Sequence, residues 1–165
     1  AAGMLPRIDG PQWTTLHAQR KDGTVEGLVD EGALVRVRLT GAPGEWLAPP
    51  AFVEGEAAAP DDRMRVIAPL DPLVWDRKLV QRAFGFDYVW EVYKPAEKRR
   101  WGWYVCPLLH RGRLVGRIEA RVRGGVLGVD NLWWEDGAER DLGALRTALD
   151  RLAECCGATE VALDR

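Results

Sequence analysis

The spacing of hydrophobic residues near the start of the chain predicts two short helices. They cover residues 12–21 and 24–30. The second helix has an apolar face, because three of its residues recur at helical spacing (Val25, Leu28 and Val29). Gly32 is expected to end it, since glycine readily adopts the positive φ that often closes a helix. The first ten residues show no such pattern and are expected to form an irregular arm.

The following segment changes to the two-residue period of a β-strand. Residues 33–40 alternate apolar and polar side chains, as a half-buried strand does. A turn at residues 41–44, rich in glycine and proline, then allows residues 45–48 to pair back. Helix, helix, strand, turn and strand is the element order of a winged helix, so residues 1–56 are predicted to form a winged-helix domain. Its second helix carries acidic residues and no cation, which favours a packing role over DNA reading.

A second domain is predicted after a linker. Residues 57–62 are small, acidic and contain a proline, a composition that is common in linkers. Residues 64–68 are expected to form a short strand. A helix then runs from Pro72 to about Ala83, with Asp71 as its N-terminal cap.

The rest of the chain has the period of strands until a final helix. Strands are expected in four stretches separated by short turns (residues 87–94, 101–109, 113–122 and 126–134). Residues 139–156 close the domain as a helix with leucines at three- and four-residue spacing (Leu142, Leu145, Leu149 and Leu152). The predicted fold class is therefore α+β. A winged-helix domain precedes a curled antiparallel β-meander domain, residues 63–165, which a C-terminal helix closes.

Composition narrows the class of protein. The chain has 165 residues, of which 47% are hydrophobic, and eight tryptophans, enough for a packed core. No window approaches the run of about eighteen apolar residues that a membrane span needs, and no secretory leader is seen. The three cysteines and two histidines are not at ligand spacing, so neither a metal nor a cofactor is expected. An odd cysteine count with an adjacent pair fits a reducing compartment, and the predicted location is the cytoplasm.

Charge is segregated along the chain, although the total is only −2. Residues 1–62 have a net charge of −5, residues 63–124 of +8 and residues 125–165 of −5. A basic middle flanked by acidic ends predicts a directional surface for a polyanion. The alternative is a basic sheet face that contacts only water.

The sharpest candidate for a binding element is the turn at residues 95–100. Lys98, Arg99 and Arg100 are consecutive cations at a predicted hairpin tip, so all three project whatever the strand alternation. Trp101 follows at once. Phosphate contact by the cations, with stacking or wedging by the tryptophan, suits a nucleic acid. A loop that only improves solubility is the alternative.

Three cations on the predicted helix are expected to extend this surface. Lys78 and Arg82 lie four residues apart and share a face, with Arg77 at its edge. A structural role remains open for Arg77, which has Asp76 and Asp87 as possible partners. The helix therefore offers either phosphate contacts or a mixture of phosphate contacts and internal ion pairs.

Arginines on the third predicted strand form the last candidate group. Arg117, Arg121 and Arg123 are separated by even numbers of residues, so they point the same way. On a face turned to a polyanion, each would add to a salt-dependent affinity. The competing interpretation pairs Arg117 with Glu119, which lies on the same face.

The residues of a self-contained enzyme are not apparent. The chain has no serine, which excludes a serine nucleophile. Its central carboxylates show no paired spacing for a general acid and a general base (Asp71, Asp76, Asp87 and Glu91). Cys106 precedes a proline within an apolar strand and is expected to face the core. No catalytic residue is therefore predicted in this chain.

Several short blocks in a fixed order resemble one protein family. The blocks are Leu70-Asp71-Pro72-Leu73-Val74-Trp75-Asp76-Arg77, Phe84-Gly85-Phe86-Asp87-Tyr88, Glu91-Val92-Tyr93-Lys94-Pro95, Lys98-Arg99, Gly102-Trp103-Tyr104 and Leu114-Val115-Gly116-Arg117. They are similar to the C-terminal part of the winged-helix DNA glycosylases that remove bulky alkylated or cross-linked bases. Residues 12–50 match more weakly as a winged helix, so the resemblance extends over the whole chain.

The resemblance implies double-stranded DNA as the partner and a cationic cradle built from the last winged helix and the β-domain. In this family a Gln-x-Gln motif in preceding winged-helix domains acts on the N-glycosidic bond. The glutamines of this chain are Gln12, Gln19 and Gln81, and no two of them have a single residue between them. Most members carry an aspartate and a lysine where this chain has Glu119 and Arg121.

The expected function is DNA binding within a larger glycosylase, whose missing N-terminal winged-helix domains are further partners and carry the chemistry. A start at Ala1 rather than at a methionine agrees with an excised fragment. Two other functions fit the same residues. One is a free-standing nucleic-acid-binding or regulatory module without catalysis, and the other is a protein-interaction domain whose basic patch faces an acidic partner.

Overall fold

Hydrophobic residues gather into separate cores on either side of residue 58. The computed structural model describes residues 3–8, 10–14, 16–56 and 59–163. The chain divides into one unit of Ala1–Ala58 and another of Ala59–Arg165. Each unit has a sheet of its own, and the mixture of helices and sheets confirms the α+β class.

The first unit is built on a three-stranded antiparallel sheet. Its strands are β1 (Leu5–Pro6), β2 (Val35–Val37) and β3 (Trp46–Ala48). The central strand is β3, which pairs with both of the others, and all three of its residues are buried. Leu47 is fully buried and packs in one cluster with Trp13 and Val25. The first ten residues were expected to be irregular, but they contain β1. Its backbone is ordered by hydrogen bonding to β3.

Only one of the two helices predicted for this unit is an α-helix. α1 (Thr24–Asp30) confirms the second prediction. Over residues 12–21 the prediction is wrong, since the chain makes one 3₁₀ turn at Pro11–Trp13 and then irregular turns. Beyond the buried Trp13 this stretch is mostly exposed, with Leu16 at 47%, and a short helix with so little buried surface is marginal in water. The sheet is followed instead by a short α2 (Pro50–Glu54).

Five strands form the sheet of the second unit. In order across the sheet they are β4 (Arg65–Val66), β5 (Val105–His110), β6 (Arg113–Arg123), β7 (Val126–Trp134) and β8 (Glu160–Leu163). β5, β6 and β7 are three of the four strands of the antiparallel meander that the sequence predicts, and the predicted strand at residues 87–94 is absent from the sheet. β4, predicted as a separate short strand, pairs antiparallel with β5. β8 was not predicted, and it lies parallel to β7 because the chain returns through a helix before pairing.

Two tight turns set the register of the meander. His110 pairs with Arg113 across one of them, and Arg123 pairs with Val126 across the other. All four turn residues have positive φ, between 48° and 80° (Arg111, Gly112, Gly124 and Gly125). Two successive residues with positive φ make a type I′ turn, whose twist matches that of the strands it joins.

One face of this sheet packs on α5 (Leu142–Cys155), which the side chain of Asp141 caps by accepting the Ala144 N–H at 2.8 Å. The buried stripe of the helix is Leu145, Ala148, Leu149 and Ala153. The predicted stripe is therefore wrong at its start, since Leu142 lies in the first turn and is 61% exposed. Strand residues on the facing side complete the core, among them Leu108, Ile118 and Leu127.

The predicted helix after Pro72 is two helices, α3 (Pro72–Trp75) and α4 (Arg77–Phe84). Asp71 caps α3 as predicted, accepting the Leu73 N–H at 2.8 Å. Asp76 interrupts the helix because it is extended, and its carboxylate accepts the first N–H groups of α4. A second, smaller core forms beneath these helices (Ile67, Val74, Val80, Phe86, Tyr88 and Leu114).

The stretch predicted as a strand at residues 87–94 pairs with no strand of the described chain. Its side chains alternate as the sequence suggests, with Tyr88 inward and Val89 outward. The carbonyl of Asp87, however, accepts a hydrogen bond from a guanidinium N–H of Arg117 at 3.1 Å, in place of a neighbouring strand. A side-chain donor thus provides the hydrogen bond to this backbone carbonyl that a neighbouring β-strand would otherwise provide.

Candidate nucleic-acid interface

The loop that carries the consecutive cations is held at its base by one buried carboxylate. The side chain of Glu91 is 2% exposed. It accepts hydrogen bonds from Lys94 Nζ (2.8 Å) and from the backbone N–H of Trp101 (2.7 Å). Burial alone would raise the pKa of Glu91, but these bonds and the Arg100 N–H outweigh it and lower the pKa to about 2. Glu91 therefore holds together the two ends of residues 94–101, hereafter called the basic loop.

The tip of the basic loop presents three cations. A 3₁₀ turn at Ala96–Lys98 forms the tip, where Lys98 and Arg100 are exposed and Arg99 is half-buried. Nε of Arg99 donates to the Lys94 carbonyl at 2.8 Å and closes the neck of the loop. No ion pair joins any of the three cations to a carboxylate in the described part of the chain. Their charge is therefore available to an external anion.

Trp101 packs into the unit rather than projecting from the loop. Its ring meets that of Trp133 edge-on, with 5.4 Å between centroids. Two guanidinium groups lie over it, that of Arg100 at 4.5 Å and that of Arg117 at 4.1 Å. In this position the Trp101 ring contacts Trp133, Arg100 and Arg117. To wedge between base pairs, as the sequence predicts, the ring would have to leave these contacts.

Arg117 is a buried structural residue, so the geometry does not support its prediction as a phosphate contact. Its side chain is 3% exposed, and Nη2 forms an ion pair with Glu135 Oε1 at 2.7 Å. The guanidinium group lies over the Phe86 ring at 4.2 Å and, from β6, also holds the carbonyl of Asp87. An ion pair was the alternative prediction for Arg117, but its partner is Glu135 rather than Glu119.

Glu119 instead anchors the segment that follows the basic loop. Its Oε1 accepts the backbone N–H of Trp103 at 2.8 Å, and its Oε2 accepts Nδ2 of Asn131 at 3.2 Å. A Cβ added at Gly102 would lie 2.5 Å from Oε2 of this carboxylate, so any larger residue here would require the Glu119 side chain to move. This role of Glu119 was not predicted, because its partners Trp103 and Asn131 are more than ten residues away along the chain.

The cations of α4 have different environments. Arg77 is half-buried, its guanidinium donates to the Val74 carbonyl, and burial lowers its pKa. The same group lies 4.5 Å above the Tyr88 ring. Lys78 and Arg82 are exposed and form no ion pair with a described carboxylate. Of the three, only these two are presented to solvent as the sequence predicts.

Arg121 and Arg123 of β6 are exposed but paired. Arg121 Nε lies 2.5 Å from one oxygen of Asp130, and Arg123 Nη1 lies 2.9 Å from the other. A bulge in β7 allows this, because Glu119 pairs with Asn131 while Ala120 pairs with Val129, which leaves Asp130 as the extra residue. Arg121 and Arg123 share a face as predicted, with their charge already partly neutralised.

Contacts between cations and rings connect α4 with the basic loop. Arg77 lies over Tyr88, whose ring stacks on Phe86 with 6.3 Å between centroids. Arg117 lies between Phe86 and Trp101, and the basic loop adds Arg100 over Trp101. Each such contact is worth about 0.5–2 kcal/mol. The contacts of Arg77 and Arg117 with these rings therefore link α4 to the basic loop, the two elements that present the exposed cations.

The described residues show no constellation for metal-assisted or nucleophilic chemistry. No group of three or more His, Cys, Asp or Glu side chains among them is placed to hold a metal ion. Burial raises the pKa of Cys106 to about 12, so its thiol is protonated at neutral pH.

Within the described residues no helix is both long and apolar enough to cross a bilayer.

The chain is similar to DNA glycosylases both in sequence, by a family model, and in fold, by a solved structure. The family model described as DNA glycosylase AlkZ-like matches residues 1–155. The DNA glycosylase AlkZ of Streptomyces sahachiroi has a similar solved structure, with a TM-score of 0.53 at 15% identity. The match covers 88% of this chain and 36% of that protein, so the chain spans little more than a third of its relative. Since the family model covers most of the sequence, the chain belongs to the AlkZ-like DNA glycosylase family.

Proposed function

We propose that this chain is the DNA-binding C-terminal portion of a DNA-repair glycosylase that removes bulky alkylated or cross-linked bases in the cytoplasm. Bond cleavage is assigned to winged-helix domains outside this chain, because no Gln-x-Gln motif occurs in its sequence. The family to which the chain belongs supports the repair role. Double-stranded DNA is the proposed partner.

One observation carries the proposal: the basic loop presents Lys98, Arg99 and Arg100 without acidic partners on a base fixed by Glu91. Most other cations of the basic middle are neutralised by carboxylates within the fold. Uncompensated cations on a rigid loop suit phosphate contacts, which set register on a duplex and release counterions. The exposed Lys78 and Arg82 are proposed to add further phosphate contacts.

The test is fluorescence anisotropy with a labelled duplex at low and moderate salt, comparing the chain with its Lys98→Ala/Arg99→Ala/Arg100→Ala variant. We expect wild-type affinity to fall steeply with salt. The variant is expected to bind at least about 10-fold more weakly at low salt, with a salt slope shallower by about 2 to 3, since each phosphate contact contributes about 0.9.

A matched control removes three positive charges that are already paired, in the variant Arg65→Ala/Arg111→Ala/Arg146→Ala. Each of these arginines forms an ion pair with an exposed carboxylate. The control is expected to retain most of the affinity. If both variants lose affinity equally, only total charge matters and the basic loop is not the binding element. Absence of any binding by the wild-type chain at low salt would contradict the proposal.

A further inference from the structure

Four aromatic rings, three of them exposed and that of Trp90 half-buried, form a row beside the basic loop, here called the aromatic ladder (Tyr93, Trp90, Tyr104 and Trp103). Trp90 meets Tyr93 edge-on at 5.9 Å and Tyr104 edge-on at 6.2 Å, measured between centroids. Trp103 lies 6.2 Å from Tyr104 at a tilt of 47°. The ladder therefore joins residues that precede the basic loop to residues that follow it.

The ladder leaves much of its ring surface in water. Tyr93 is 89% exposed, Trp103 50% and Tyr104 38%. An edge-to-face contact uses at most one face of a ring, so faces remain for a planar ligand. Large aromatic residues are seldom clustered at a surface without a binding partner.

The ladder is also held in place before any ligand binds. Glu119 fixes one end through the backbone N–H groups of Trp103 and Tyr104, at 2.8 and 3.4 Å. Glu91 fixes the other end through Lys94 and Trp101. Because these two carboxylates are buried, the backbone that carries the rings is ordered before binding, which favours affinity.

We propose that the aromatic ladder is a stacking platform for unpaired nucleobases, so that the chain prefers DNA with extruded or single-stranded nucleotides to intact duplex. This inference rests on the proposed function, since it places the phosphates of the same DNA on the basic loop. The residues 90–104 carry four Lys or Arg against two Asp or Glu, and one of those acids is the buried Glu91. Cations beside exposed rings are the combination that binds single-stranded nucleic acid. In an intact duplex the base faces are covered by their neighbours and are out of reach of the ladder.

The experiment compares a labelled duplex, the same duplex with a bulge of unpaired thymines, and the single strand, by anisotropy at low salt. The variants are Tyr93→Leu/Trp103→Leu, the restoring variant Trp103→Phe, and Trp75→Leu as a matched control. Trp75 is 46% exposed but belongs to α3, outside the ladder. Thermal melts by circular dichroism check that each variant is folded.

We expect wild type to bind the bulged duplex and single strand more tightly than the intact duplex. The ladder double variant is expected to lose about 10-fold or more for DNA with unpaired bases and less than about 2-fold for intact duplex. Trp103→Phe keeps a ring and is expected to bind nearly as wild type, as is Trp75→Leu.

Equal wild-type affinity for bulged and intact duplex would overturn the inference, as would an equal loss for all probes in the ladder variant. If the ladder variants bind all DNA normally, the rings face a protein instead. In each of these cases the proposed function stands as long as affinity still depends on Lys98, Arg99 and Arg100. Failure of wild type to bind any probe would remove both proposals together.

Discussion

Residues of one type on a single strand have opposite roles in this protein. Arg117 is buried, paired with Glu135 and enclosed by two aromatic rings. Arg121, four residues along β6, is half in solvent and shares Asp130 with Arg123. Burial decides the difference, because a buried guanidinium needs all its partners while an exposed one is solvated without them.

This difference predicts the stability of two alanine variants. Arg117→Ala removes the guanidinium from between Phe86 and Trp101 and leaves the Asp87 carbonyl without its donor, so it is expected to lower the free energy of unfolding by about 3 kcal/mol. Arg121→Ala is expected to cost less than about 1 kcal/mol, because surface ion pairs contribute little. Urea denaturation followed by tryptophan fluorescence measures both. Similar losses in the two variants would show that Arg117 is not structural.

At the scale of elements, the basic loop is a rigid structure rather than a hairpin of the sheet. Trp101 and Trp103 give their N–H groups to Glu91 and Glu119, so β5 begins only at Val105. Buried carboxylates that accept several hydrogen bonds stay ionised. The conformation of the loop is therefore linked to the charge of Glu91.

That link predicts a dependence on pH. Folding lowers the pKa of Glu91 from 4.5 to about 2, so its stabilisation is complete above the higher value and is lost as the pH falls through the lower one. Glu91→Gln is expected to cost about 2 kcal/mol at neutral pH. The difference from wild type should shrink between about pH 5 and pH 2 in thermal melts.

The control is Glu97→Gln, which alters an exposed acid of the same loop. Its difference from wild type is expected to stay below about 0.5 kcal/mol at every pH. A Glu91→Gln variant whose destabilisation did not change with pH would contradict a role for the ionised carboxylate.

At the scale of the whole molecule, folding redistributes the charge that the sequence segregates. Acidic residues from outside the basic middle neutralise several of its arginines: Asp61 pairs with Arg65, Asp62 with Arg111, and Asp130 with Arg121 and Arg123. The net charge of +8 on residues 63–124 therefore overstates the field that a ligand meets. Within the described residues, the cations of the basic middle without an ion pair are those at the tip of the basic loop, those of α4, and Arg113.

Removing one of these acids is expected to strengthen binding to DNA. Asp130→Asn releases Arg121 and Arg123 and is expected to raise duplex affinity about 2- to 5-fold at low salt, with a slope steeper by up to about 1. Asp150→Asn makes the same change of charge on α5, where it pairs only with Arg146 among the described residues. Anisotropy titrations compare the two. Equal gains would indicate a general effect of net charge and exclude a DNA contact by β6.

Local signals account for the parts of the fold that could be predicted. The cap at Asp71, the helix stop at Gly85 and the two tight turns follow from residues within a few positions of each other. The order of strands in the meander follows from those turns. The helix predicted over residues 12–21 is wrong because the stretch buries little apolar surface apart from Trp13. β8 was not predicted because its partner β7 lies more than thirty residues away.

The family, the α+β class, the strands β5 to β7 and the position of the basic loop could be predicted from the sequence, because each depends on residue order and short-range spacing. Which charges remain available depends on the folded packing. Arg117 and Arg121 are equivalent in a strand pattern, and Glu91 and Glu119 are ordinary acids in the sequence. Their roles arise from burial and from hydrogen bonds to residues ten or more positions away. Desolvation and long-range pairing are properties of the packed molecule, and no local pattern of residues encodes them.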